Sequence, residues 1–132
     1  MNPAISALMD RAWEDLRTVR HDLEGGFVRA AISRAYYAAF HAARAALLTV
    51  GESPKSHGGA RNRFGYHFIR TGRVPKAVGE ILDVSETLRN RADYEALTIF
   101  DEDGAADLIA DVETFVRTVE AVLLPPDTPS TA

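Results

Sequence analysis

Between residues 27 and 50 the chain reads FVRAAISRAYYAAFHAARAALLTV, with nine alanines at positions 30, 31, 35, 38, 39, 42, 43, 45 and 46. Alanine favours helix more than any other residue, and its small side chain lets neighbouring helices approach closely. Gly25-Gly26 before the run and Gly51 after it are natural helix ends. The run predicts a long central helix over about 27–50, packed against others on several sides. A chain built around such an element belongs to the all-α class.

The rest of the sequence agrees. Asn2 can cap a first helix with Pro3 at its first position, where the missing N–H costs nothing. From there Ile5, Leu8, Ala12, Leu16, Val19 and Leu23 recur at steps of three and four, one face of a helix. Glu52-Ser53-Pro54 reads as a turn and Lys55–Gly59 as a loop, followed by a shorter helix over about Ala60–Arg70 that Thr71-Gly72 ends. Pro75 opens a fourth helix with Val78, Ile81, Leu82, Ser85, Leu88 and Ala92 on one stripe. Periodicity lapses after Tyr94. The acids Asp101-Glu102-Asp103 then suit the positive end of a helix dipole, predicting a final helix over about Asp103–Leu123. Its buried face is Leu108, Val112, Phe115, Val119 and Leu123. Short connections between amphipathic helices imply an antiparallel up-and-down bundle of four to five helices over 1–124. Pro125, Pro126 and Pro129 mark 125–132 as a disordered tail.

Charge is unevenly spread. Residues 25–79 carry nine Lys and Arg against Glu52 alone, whereas residues 80–132 carry three Arg against thirteen acids; the whole chain sums to −4. An acidic chain argues against broad, non-specific binding to nucleic acid, which rests on neutralising many phosphates. The basic middle can still take one anionic partner, or simply neighbour the acidic helices. No cysteine is present, so disulfides and thiolate metal sites are excluded. No stretch of 18 apolar residues occurs and no signal peptide is evident, so a cytoplasmic protein without a membrane span is expected. No Gly-rich phosphate loop, zincin helix, nucleophile elbow or EF-hand is found; neither a cofactor nor a metal site is expected.

Two groups of polar residues stand out. Arg34, Tyr37, His41 and Arg44 follow steps of three and four, a polar stripe on an otherwise small and apolar helix. Arg89-Asn90-Arg91-Ala92-Asp93-Tyr94 closes the fourth helix, with Arg89 and Asp93 facing each other across one turn. Read alone, the first is a solvated face. The second is an exposed ion pair contributing ~0.3–0.5 kcal/mol.

Taken jointly, the residues carry more. The helix Ser33–Leu48 (SRAYYAAFHAARAALL), then Pro54-Lys55-Ser56-His57-Gly58-Gly59, Phe64, and Arg89 with Ala92-Asp93-Tyr94 resemble, in order and spacing, a prokaryotic subfamily of HEPN proteins. The resemblance runs from about Ser6 to Leu124. It implies a bundle of four or five helices that often forms a homodimer. It also implies pairing with a minimal nucleotidyltransferase, frequently as a toxin–antitoxin module, and in many members metal-independent ribonuclease activity. The family's motif is an Arg, a polar residue, three further residues and a His. The Arg can hold phosphate bidentately while the His moves a proton. Arg89 and Asn90 match its first two positions, but Tyr94 stands where the His would be. A phenol with a pKa near 10 is a poor base at neutral pH.

Three functions follow as expectations. In the first, the chain binds RNA or a nucleotide phosphate through Arg89, with Asp93 and Tyr94 orienting it and Asn90, Arg34, Tyr37, His41, Arg44 and His57 as further ligands. Ribonuclease activity is then weak or absent. In the second, the same residues build a non-catalytic dimer scaffold. In the third, His57 or His41 replaces the motif histidine in an active ribonuclease.

Overall fold

A computed structural model describes residues 2–124; the expected tail lies outside them. The described residues form five helices and no strand: α1 (Pro3–Glu24), α2 (Val28–Thr49), α3 (His57–Phe64) running into a π-helical turn (Gly65–Ile69), α4 (Lys76–Tyr94) and α5 (Glu102–Leu123). Among these residues no helix is long and apolar enough to cross a membrane.

The alanine-rich helix is the centre. α2 packs against α1, α3, α4 and α5, and Ala31, Ala35, Ala38, Ala39, Ala42, Ala43, Ala45 and Ala46 are all fully buried. Bare methyl groups on nearly every side let four helices close on one axis without clashing. Larger side chains fill the space between the outer helices. Phe64 stacks on Phe68 at 5.2 Å and meets Phe115 of α5 at 5.5 Å. Each such ring, fully buried, stabilises the fold by about 1.5–3 kcal/mol.

Helix ends follow capping chemistry. Asn2 accepts from the Ala4 amide at 2.7 Å and Asp101 from the Gly104 amide at 2.6 Å, each satisfying one orphan N–H of a first turn. Between α4 and α5, the Arg29 guanidinium donates to the carbonyls of Ala92 (2.7 Å), Ala96 (3.2 Å) and Thr98, and lies over the Phe100 ring. One side chain of α2 thereby fixes the end of α4 and the link that follows.

The third helix departs from expectation. It begins at His57 rather than Ala60, capped by Ser56, whose hydroxyl accepts from the Gly59 amide at 2.9 Å. Gly58 and Gly59 disfavour helix intrinsically, so the segment reads as a loop; the cap outweighs them in the first turn. The helix also widens to a π turn at Gly65–Ile69, where Arg70 N–H reaches back to the Gly65 carbonyl. Gly72 ends the segment at φ +77°, a left-handed conformation that glycine adopts without strain.

Candidate functional site

A cleft of about 550 Å³ opens between α1, the first half of α2 and the end of α4. Arg11 and Asp15 line it from α1, Arg29, Ala30, Ser33, Arg34, Tyr37 and His41 from α2, and Asp93 from α4. The stripe on α2 and the motif at the end of α4, some fifty residues apart in sequence, therefore share one wall.

Asp15 is at the bottom of the site, its side chain only 4% exposed. It accepts a hydrogen bond from His41 Nδ1 at 2.9 Å and forms longer ion pairs with Arg11 (3.6 Å) and Arg34 (3.9 Å). A carboxylate only accepts, so His41 carries its proton on Nδ1 and leaves Nε2 with a lone pair. Burial lowers the pKa of His41 from its ordinary 6.5, and the raising effect of Asp15 does not reverse this. The imidazole is therefore neutral at pH 7. Arg34 also pairs with Asp22 at 3.5 Å. Arg11 and Arg34 are both about half-exposed, and their guanidinium groups face solvent as well as acid.

Arg89 sits behind this wall. Its guanidinium lies over the Tyr36 ring at 5.0 Å and the Tyr37 ring at 5.6 Å, and pairs with Asp93 at 3.6 Å. The expected exposed ion pair is corrected here: the Arg89 side chain is 12% exposed, and its Nε is buried with no hydrogen-bond partner. Arg89 is part of an aromatic packing arrangement, with Asp93 as its link to the cleft.

A second network backs Tyr36 from the other side. Its hydroxyl bridges His57 Nδ1 and Glu86 (3.3 Å), and Glu86 is ion-paired with Arg61. Burial pushes the Tyr36 phenol up to about 12, against the opposing influence of Arg89. His57 is stacked on Phe40 at 4.4 Å, and burial, then the Arg89 charge, lowers its pKa.

The structure thus divides the residues singled out in the sequence. Arg34, Tyr37, His41 and Asp93 line the cleft; Arg89 touches it through Tyr37 and Asp93. Arg44 does not line it: ten residues beyond Arg34, it is about 15 Å further along the helix axis, over Phe40 and beside the Glu52–Pro54 turn. His57 is held by Tyr36 and Phe40. Asn90 is exposed. Tyr94 is 79% exposed and outside the cleft, because successive helical residues are about 100° apart and Asp93 takes the inward position. Four polar lining residues were not foreseen: Arg11, Asp15, Arg29 and Ser33. Asp15 had a signal, an acid three residues after Ala12 and four before Val19 on the buried stripe of α1. Among the described residues no three His, Cys, Asp or Glu side chains are placed to hold a metal ion.

The all-helical fold and the residue pattern of α2 and α4 define the class: the chain matches the HEPN domain over residues 5–122 and belongs to the HEPN family. It is 37% identical over 119 residues to a Methanocaldococcus jannaschii protein named "Putative toxin MJ0605", covering 90% of this chain and 88% of that one. A Thermotoga maritima protein named "UPF0332 protein" is 32% identical over 113 residues, covering 86% of each chain.

Proposed function

We propose that this HEPN protein is toxin-like and binds RNA or a nucleotide phosphate in the cleft between α1, α2 and α4. The observation that carries the reading is the pair Arg11 and Arg34. Both guanidinium groups are half-exposed at one opening, and both stand 3.6–3.9 Å from their shared partner Asp15, too far for a hydrogen bond. They can turn onto a phosphate without breaking one to Asp15, and a guanidinium fork suits phosphate geometry. Tyr37 and His41 beside them offer ring faces and polar edges to a base or ribose. The toxin name of the M. jannaschii relative supports the same role. The Arg89–Tyr94 motif then acts as support rather than as the reacting pair, since Arg89 is buried and Tyr94 faces away.

The test is binding of a short fluorescent oligoribonucleotide, followed by anisotropy. Replacing Arg11 and Arg34 together with alanine should weaken binding by about 2–4 kcal/mol, allowing 1–2 for each charge-assisted contact after exposure to solvent is discounted. Arg70→Ala, on α3's far extension, should change it little. Equal loss in both variants would refute the cleft as the binding site.

Two further elements belong to this reading. A minimal nucleotidyltransferase as partner rests on the family resemblance, and co-purification with a neighbouring gene product tests it. A homodimer is supported by an apolar groove adjoining the cleft, where Phe27, Ile99 and Phe100 surround Arg29 and Ala30. Ile99 and the neighbouring Leu97 are more than 90% exposed in the single chain, an arrangement that association would cover.

A further inference from the structure

The cleft is charged unequally along its length. At one end Arg11 and Arg34 stand half-exposed beside the buried Asp15. At the other is Asp93 of α4, which lines the opening with its side chain a third exposed. Arg29 holds the Ala92 carbonyl next to Asp93, and Arg34 follows Arg29 by five residues, about 7.5 Å along the helix axis. That separation is of the order that divides the phosphate of a nucleotide from its base.

Asp93 differs from the other acid of the cleft. Asp15 is 4% exposed and accepts from His41 at 2.9 Å. Asp93 has its acceptor positions open: Arg89 approaches only to 3.6 Å, beyond hydrogen-bond reach, and no hydrogen bond to the Asp93 side chain is found among the described residues. Arg29 beside it is committed to the carbonyls of Ala92, Ala96 and Thr98. A carboxylate only accepts, through two oxygens that can take two parallel donors. It repels a phosphate, so this end of the cleft suits the donor edge of an uncharged ring.

We propose that Asp93 makes the cleft selective for guanine. The inference rests on the binding role above and assigns the base to it. Guanine carries N1–H and the N2 amino group side by side, a pair of donors that matches both oxygens of one carboxylate. Adenine and cytosine place a ring nitrogen lone pair next to their amino group, which faces the second oxygen and is repelled. Uracil has a single N3–H between two carbonyls. With the phosphate on Arg11 and Arg34, the guanine ring reaches Asp93 along the wall that Tyr37 lines, where an aromatic face can stack on it. Asp93 is thus a specificity residue that touches the base, and Arg89 positions it from behind through their ion pair.

The experiment measures anisotropy of fluorescent pentaribonucleotides that differ only in a central base set among uridines, with the full-length chain. Guanosine at the centre should bind about tenfold or more tighter than adenosine, cytidine or uridine, as a bidentate base contact implies. Inosine, which keeps N1–H and lacks the amino group, should fall several-fold below guanosine. In Asp93→Asn one acceptor oxygen becomes a donor, and the ratio of guanosine to adenosine affinity should drop below threefold. Circular dichroism establishes that the variant is folded; if it is not, the inosine probe on the wild type decides instead. No binding of any probe overturns both the binding role and the base choice. Equal affinity for all central bases, inosine equal to guanosine, or an undiminished ratio in folded Asp93→Asn overturns the base choice alone.

Discussion

Replacing Arg89 with alanine removes a side chain that packing, more than its ion pair, holds in place. Its guanidinium covers two tyrosine rings at 5.0 and 5.6 Å. A partly desolvated cation–π contact contributes about 0.5–2 kcal/mol, but one cation shared by two rings does not double that. The 3.6 Å pair with Asp93, itself a third exposed, adds about 0.2–1 kcal/mol. Against these stands the buried Nε without a partner, whose removal relieves a desolvation cost of about 1 kcal/mol. Arg89→Ala should therefore destabilise the fold by about 1–3 kcal/mol, including the buried alkyl stem. Arg89→Lys should recover less than half, since an ammonium lacks the flat face that stacks on tyrosine. Urea unfolding followed by far-UV circular dichroism measures both, with near-UV signals reporting the tyrosines. A change within 0.3 kcal/mol for alanine, or full recovery by lysine, would refute the packing role. It would restore Arg89 to a surface ion pair.

Two other consequences can be measured. His41 and His57 both titrate below 6.5 in the folded chain, so the unfolded chain binds their protons first; stability present above pH 6.5 should fall as pH drops toward the folded values. Glu52, held down to about 2 chiefly by the hydrogen bond from Arg63, adds stability present above pH 4.5 and lost as pH falls from there toward 2. Urea midpoints between pH 8 and 3 should show both losses, and Glu52→Gln should flatten only the lower one. Leu97→Asp, at a 96% exposed leucine beside the apolar groove, should shift sedimentation of a micromolar sample from dimer to monomer without lowering the unfolding midpoint; a monomeric wild type would contradict the dimer.

What the sequence disclosed depended on how local the determining physics was. α1, α2, α4 and α5 are long enough for several turns of apolar periodicity, and Asn2 caps α1 as its side-chain chemistry implies; Asp101 was legible as an acid suited to the helix dipole, not as the N-cap it proves to be. The start of α3 was hidden because Gly58-Gly59 outweigh Ser56 in any local reading, and the π turn at Gly65–Ile69 has no periodic signature. The site divided similarly. Arg34, Tyr37 and His41 were visible as a stripe on one helix. That the stripe meets Asp93, and stops short of Arg44, depends on where α4 crosses α2. Asp15 was legible only as an exception, an acid within the buried stripe of α1. The burial of Arg89 was not legible, because an Arg–Asp spacing of four looks the same on a solvated helix as against two tyrosines.

The cleft as an RNA- or nucleotide-phosphate site is most directly tested by ¹⁵N–¹H correlation spectra recorded while a short oligoribonucleotide is added. The account predicts progressive shifts concentrated at Arg11, Asp15, Ser33, Arg34, Tyr37, His41 and Asp93, and their reversal as salt is raised. Shifts confined to the basic α3 segment around Arg63, Tyr66 and Arg70, or no shifts at millimolar oligoribonucleotide, would contradict it.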